Sequence, residues 1–287
     1  PPRSTLFPYT TLFRSGFVVD FVRMNRRMHN KAFIVDGAVA IVGGRNVADE
    51  YFQLADEGFF IDLDVLAAGA VAPETAAIFD LYWNCDCVHP AGPVIGRRDA
   101  TLPGWLTGEE AIGPQAESLA MSEREGTAAD RFLRGDTRLE WVNAQAIADH
   151  PSKGLGKASD GQLMITRLRA AAGAVTSGVD LVSAYFIPAV GGVRYFAELA
   201  RKGARVRILT NAFRTTDVKM VHAGYAKYRR RLLAAGVELL ELKPGSDGDA
   251  VSRRRSGSGP SSGSTSGTSL HAKTLALDGN RVFVGSF

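Results

Sequence analysis

The chain alternates between short runs that favour extended backbone and longer runs with apolar residues at helical spacing. Phe17 to Val22 is apolar-rich and predicts a strand. In each of the stretches 29–46 and 271–286 an apolar run meets Asp-Gly and then resumes, the strongest short-range hairpin signal, and both predict strand, tight turn, strand. Val47 to Phe52 reads as a helical turn or two. Phe59 to Leu66 alternates as a strand with Asp62 and Asp64 on one face. Pro73 to Trp83 has helical spacing, with Ile78, Phe79, Tyr82 and Trp83 on one side. Residues 90–135 are rich in Gly, Pro and charge and predict a connector with one helix near Gly108 to Ser122. A second region follows: strand Arg138 to Asn143, helix Gln162 to Ala174, strand Gly178 to Pro188 with a polar tip, helix Gly192 to Lys202, strand Arg205 to Asn211, basic helix Val218 to Ala235, and strand Val237 to Leu242. Gly245 to Ser269 is dominated by Gly and Ser and predicts a flexible surface loop that delivers the chain to His271. Strands alternating with helices predict an α/β fold, a mostly parallel sheet flanked by helices.

Length and composition divide this pattern further. With 287 residues, 45% hydrophobic and 22% charged, the chain has room for two ordinary globular units. Residues 16–105 form the first half, 106–135 the connector, and 136–287 the second half with its loop at 245–269. Residues 1–15 resemble the translation of a sequencing adapter and are set apart from the fold. The chain also reads as a fragment truncated at both ends, in which no targeting signal is visible. A net charge of +4 is mildly basic and selects no partner class. Cys85 and Cys87, one residue apart, fit neither a disulfide framework nor a zinc site and read as half-buried thiols. No run reaches the roughly 18 to 20 apolar residues of a membrane span.

The two hairpin stretches are copies of one another. The first reads His29-x-Lys31-x4-Asp36-x6-Gly43-Gly44-x-Asn46, and the second His271-x-Lys273-x4-Asp278-x6-Gly285-Ser286. In a strand, residues i and i+2 share a face, so each copy presents an imidazole beside an ammonium. Imidazole titrates near neutrality and can be a nucleophile or a proton donor, while lysine supplies fixed charge. Two such pairs together suit a phosphodiester: one histidine attacks phosphorus and the other protonates the leaving oxygen. Lys31 and Lys273 then hold the phosphoryl oxygens, with Gly44, Ser286 and Asn46 admitting and hydrogen-bonding the phosphate. No acidic cluster that would hold a metal is evident, so a metal-free mechanism without cofactor is expected. Asp36 and Asp278 belong to the repeated signature, yet their place before Gly reads first as turn-forming.

This doubled pattern is the signature of the phospholipase D superfamily, and the match is complete through Asn46 in the first copy and through Ser286 in the second. Around it, the segments 27–31, 42–46, 49–52, 61–65, 79–84 and 221–228 resemble the type C cardiolipin synthases of bacteria. The resemblance implies two α/β halves sharing one active site, and catalysis by His29, Lys31, Asp36, His271, Lys273 and Asp278. It further implies transfer of a phosphatidyl group from one phospholipid onto the glycerol headgroup of phosphatidylglycerol through a phosphohistidine, the donor being phosphatidylglycerol or a second phospholipid. His29 is expected as nucleophile and His271 as general acid. Alternatives within the superfamily are a phospholipase D releasing phosphatidic acid and a phosphodiesterase or nuclease. Peripheral contact with the cytoplasmic side of a bacterial inner membrane is implied, with room for a partner protein.

Members of the superfamily orient each histidine with an acidic residue on a neighbouring strand, and Asp62, then Asp64, are the candidates for the first half. The short basic runs at 229–231 and 253–255 make no continuous stripe, so nucleic acid is not an expected partner. Tyr185 and Phe186 read equally as lining a lipid entrance or as core. His222 reads as structural, a non-catalytic membrane-binding module remains the rival class, and His89 and His150 carry no assignment.

Overall fold

The computed structural model describes residues 28–52, 58–90, 128–243 and 268–286. The expected strand at 17–22, the helix near 108–122, the segment 1–15 and nearly all of the loop 245–269 lie outside them.

Both copies of the motif fold as the predicted hairpins. Strands β1 (Ala32–Val35) and β2 (Val39–Gly43) pair antiparallel, with Val35 opposite Val39. Strands β9 (Lys273–Leu277) and β10 (Arg281–Val284) repeat this, with Leu277 opposite Arg281. The Asp-Gly steps take φ of 51° and 63° at Asp36 and Gly37, and 52° and 72° at Asp278 and Gly279. Two consecutive positive φ values give the primed turn whose twist matches its strands, which Asp and Gly tolerate best.

Each hairpin joins a sheet. In the first half β1, β2 and β4 (Asp64–Ala68) form an antiparallel sheet backed by helix α1 (Val71–Trp83). In the second half the order is β10-β9-β5-β6-β7, where β5 (Gly178–Ser183), β6 (Arg205–Asn211) and β7 (Glu238–Leu242) run parallel and β9 runs antiparallel to β5. The α/β reading therefore holds, with a sheet more mixed than the expected mostly parallel one, because each motif returns as a hairpin. Helices α3 (Met164–Ala172), α4 (Ala189–Arg201) and α5 (Lys219–Ala234) alternate with these strands.

The main core lies in the second half. Burial alternates along β5 and β6, so that Val179, Leu181, Val206 and Ile208 face inward. Phe186, Leu199, Tyr225, Leu232 and Val237 close over them. Helices α4 and α5 both end through glycine in the left-handed region, Gly203 at φ 91° and Gly236 at φ 83°. In each case the next residue's N–H reaches back five residues, Ala204 to Leu199 and Val237 to Leu232. This closure turns each helix straight into the following strand.

The halves are stitched by β3 (Phe60–Ile61), which pairs in parallel with β8 (Ser269–Leu270). The predicted strand 59–66 is thus broken at Asp62 and Leu63: its first part joins the second half, and its last part stays in the first sheet. Leu270 is fixed from its other side by Asn211, whose amide receives its N–H at 2.9 Å and donates to its carbonyl at 2.8 Å. His271 follows directly.

The chain divides into two compact units, residues 1–87 with 146–287, and residues 88–145. Both motifs lie in the former. In the latter, Ala128–Leu133 forms helix α2, and the expected strand at 138–143 is absent. Trp141 there is 97% exposed, so its apolar alternation finds no sheet among the described residues. Cys85 and Cys87 are also not free thiols: past α1 the chain turns, brings their Cα atoms to 5.3 Å and joins them in a disulfide. No helix among the described residues is long and apolar enough to cross a membrane.

Candidate active site

The two motif lysines fold back identically. Lys31 Nζ donates to the His29 carbonyl and Lys273 Nζ to the His271 carbonyl, each at 2.7 Å. Lys273 is almost wholly buried, and that burial, with the positive charge of Lys31 nearby, pushes its pKa down to about 8. Burial lowers Lys31 as well, against a raising influence from Asp62. The charge of each lysine is thus felt within one shared site.

His271 is enclosed. Its Nδ1 lies 2.7 Å from Asp62 Oδ2, and the Asp62 side chain is 0% exposed. Nδ1–H donating to that carboxylate leaves Nε2 as the working nitrogen. Tyr51, at the end of the 3₁₀ turn Asp49–Tyr51, places its hydroxyl 3.2 Å from Nε2. Asn46 Nδ2 donates to the same hydroxyl at 2.7 Å, so the phenol proton is left for Nε2 whenever that nitrogen is unprotonated. The rings of Tyr51, Phe60 and Tyr185 surround His271 with centroids at 5.0, 5.3 and 5.8 Å.

His29 is in a different setting. It remains exposed on one side, and its Nδ1 meets Ser286 Oγ at 2.6 Å. Partial burial, then the charges of Lys31, Lys273 and His271, push its pKa down to about 4. A neutral imidazole with a lone pair is the form a nucleophile needs.

The motif tails cross over. The tail of the first motif serves the second histidine: Asn46 reaches His271 through Tyr51, and Gly44 backs onto Asp62. A Cβ at Gly44 would lie 2.4 Å from Asp62 Oδ1, so this glycine is required by a carboxylate. The tail of the second motif serves the first histidine, through Ser286. Asp62 accordingly pairs with His271 and not with His29 of its own half, because the parallel β3–β8 register sets Ile61 beside Leu270. Asp64 turns away to Arg45, whose Nε lies 2.7 Å from its Oδ2.

Asp278 sits outside this cluster and pins its hairpin to the entrance of β5. Its Oδ1 accepts from the N–H groups of Ser177 at 2.7 Å and of Thr176 and Gly178 at 3.0 Å, and Arg281 also bonds the carboxylate. These donors, that of Ser177 first, hold it well below the usual carboxylate range. Asp36 occupies the equivalent turn of the first hairpin. His222 is buried in α5 between the Asn211 carbonyl and Arg229. Phe186 is core, whereas Tyr185 faces the site: Lys273 Nζ lies 5.5 Å from its ring centroid.

Residues 164–287 match the family model described as cardiolipin synthase, PLD-like domain. Residues 164–287 are thus similar to a phospholipase D-like domain. The chain is 39% identical to cardiolipin synthase C of Escherichia coli (strain K12), an alignment covering 98% of this chain and 59% of the relative. An uncharacterized protein of Helicobacter pylori (strain ATCC 700392 / 26695) is 31% identical over 94% of this chain and 52% of its own. The cardiolipin synthase of Geobacillus thermodenitrificans (strain NG80-2) is 24% identical over 92% and 40%. The chain thus spans about half the length of the curated relatives it matches.

Proposed function

We propose that the protein is a phosphatidyltransferase of the cardiolipin-synthase type that works through a phosphohistidine. The observation that carries this reading is the unlike environment of its two motif histidines. His29, neutral at physiological pH and held at Nδ1 by Ser286, attacks phosphorus through Nε2. As the P–N bond forms, the bond to the leaving alkoxide breaks, and His271, entering the step as the imidazolium with Nδ1–H on Asp62, gives that oxygen its Nε2 proton and is left neutral. His271 has a carboxylate, Asp62, to hold its ring, and Tyr51 beside the nitrogen that exchanges the proton. In the second step an acceptor hydroxyl attacks, its proton passes to His271, the P–N bond breaks, and His29 is regenerated. Lys31 and Lys273 balance the charge on the equatorial oxygens, with Asn46, Gly44 and Ser286 as further phosphate-side groups.

Phosphatidylglycerol supplies the acceptor glycerol, and a phospholipid supplies the phosphatidyl group at a membrane surface. The test uses full-length protein with labelled phosphatidylglycerol, with and without a second phospholipid. Labelled cardiolipin is expected. Phosphatidic acid as sole product under both conditions contradicts the transferase reading and indicates a phospholipase D.

A further inference from the structure

Two carboxylates stand close to the motif cations, and only one is sealed. Asp62 is fully enclosed against His271, whereas Asp217, in the loop between β6 and α5, is exposed. Asp217 is nonetheless held in place: Tyr185 Oη donates to its Oδ2 at 2.6 Å. The Tyr185 ring that fixes it lies edge-on to His271, centroids 5.8 Å apart, with the Lys273 ammonium 5.5 Å from its own centroid. Asp217 is therefore an open anion about one phenol ring away from the proton-transferring histidine and a phosphate-holding lysine. Its charge is felt there, since it opposes the lowering of Lys273 and contributes to raising Tyr51 and Tyr185.

A fixed, exposed carboxylate in that place repels phosphodiester oxygens. It welcomes neutral hydroxyl donors, because an ionised carboxylate accepts hydrogen bonds at both oxygens and Tyr185 occupies only part of Oδ2. Resting on the transferase reading above, we propose that Asp217, braced by Tyr185, forms the acceptor subsite and selects polyhydroxy alcohols of the glycerol class. While one acceptor hydroxyl attacks phosphorus and passes its proton to His271, a second hydroxyl of the same molecule donates to Asp217. Water and simple alcohols have no second hydroxyl to offer. The subsite thus biases the phosphohistidine toward transfer onto a glycerol headgroup.

The test is internal competition for one intermediate. Full-length enzyme is given labelled phosphatidyl donor with equal glycerol and ethanol, and the ratio of phosphatidylglycerol to phosphatidylethanol formed is read. This partition ratio is independent of how fast the intermediate forms. Asp217→Ala is expected to lower it about ten-fold, the size of one hydrogen bond to a charged group. Asp217→Asn should fall between, because its amide oxygen still accepts, and Tyr185→Phe should lower the ratio by loosening the carboxylate. A ratio unchanged in Asp217→Ala, even with both rates reduced, overturns the subsite and leaves Asp217 as a brace for Tyr185. Phosphatidic acid alone from the wild type overturns the transferase reading, and the subsite with it.

Discussion

Asp62 hydrogen-bonds His271 across the seam between the two halves, 209 residues apart in sequence and 2.7 Å apart in space. The carboxylate is wholly enclosed, so the ring has no rotational freedom to spare. Asp62→Asn should lower kcat roughly ten- to a hundred-fold with a smaller change in KM, the usual effect of losing a partner that orients a working imidazole. Gly44→Ala should reproduce this from behind, since its Cβ would overlap the same carboxylate. Asp64→Asn, which removes a partly exposed pair with Arg45, should change stability by no more than about 1 kcal/mol and leave kcat near wild type. Steady-state kinetics on the three variants check the ordering; equal losses at Asp62 and Asp64 would contradict it.

Asn46 touches His271 only through Tyr51. If its main role is to aim the Tyr51 hydroxyl, Asn46→Ala and Tyr51→Phe should be non-additive, the double variant being no slower than the slower single one. If Asn46 instead binds phosphate independently, the two losses multiply. A double-mutant cycle on kcat/KM separates these outcomes.

The pH profile follows from two depressed groups. His29, pushed to about 4, stays neutral through the physiological range, and Lys273, pushed to about 8, stays protonated below that value. With respect to these groups kcat/KM should be level over roughly pH 5 to 7 and fall as pH rises through the Lys273 value. Lys273→Arg, if it folds and turns over, should push the alkaline fall upward because guanidinium does not titrate there. A wild-type profile flat to about pH 10 would contradict the charge requirement.

Asp278 is a stability residue by its geometry. Asp278→Ala should lower Tm, because three backbone N–H groups lose their acceptor and alanine disfavours a φ of 52°. Asp278→Asn should recover part of the loss. The folded pKa is depressed, so the stabilisation is complete above the ordinary carboxylate value of 3.8 and fades as pH falls toward the folded value. The Tm gap between wild type and Asp278→Ala should therefore narrow on acidification below that value.

What could be read in the sequence depended on distance along the chain. His29, Lys31, His271 and Lys273 were legible because each pair lies two residues apart in one short motif leading into a hairpin, and the turns were legible because Asp-Gly is a local signal. The strands and helices from Gly178 to Leu242 were recovered because their apolar periods are complete. The partner of Asp62 was not legible: it depends on a two-residue parallel pairing between β3 and β8, which leaves no pattern in either segment. Tyr51 lies in the segment 49–52 that resembles the cardiolipin synthases and Asn211 ends a predicted strand, but neither position discloses its partner, because both act through contacts to distant backbone or side chains. The strand expected at 138–143 failed for the opposite reason, since a good local alternation has no neighbouring strand there. Cys85 and Cys87 escaped because pairing required the turn after α1 to bring them together.

The most direct measurement is the site of the covalent phosphoryl group. Full-length enzyme is quenched at alkaline pH during turnover of a phosphate-labelled donor, and the labelled peptide is sequenced. The label should sit on the peptide containing His29, rise in His271→Ala when the donor has a good leaving group, and vanish in His29→Ala. Label confined to His271, or wild-type turnover with no acid-labile phosphoprotein, would contradict the account.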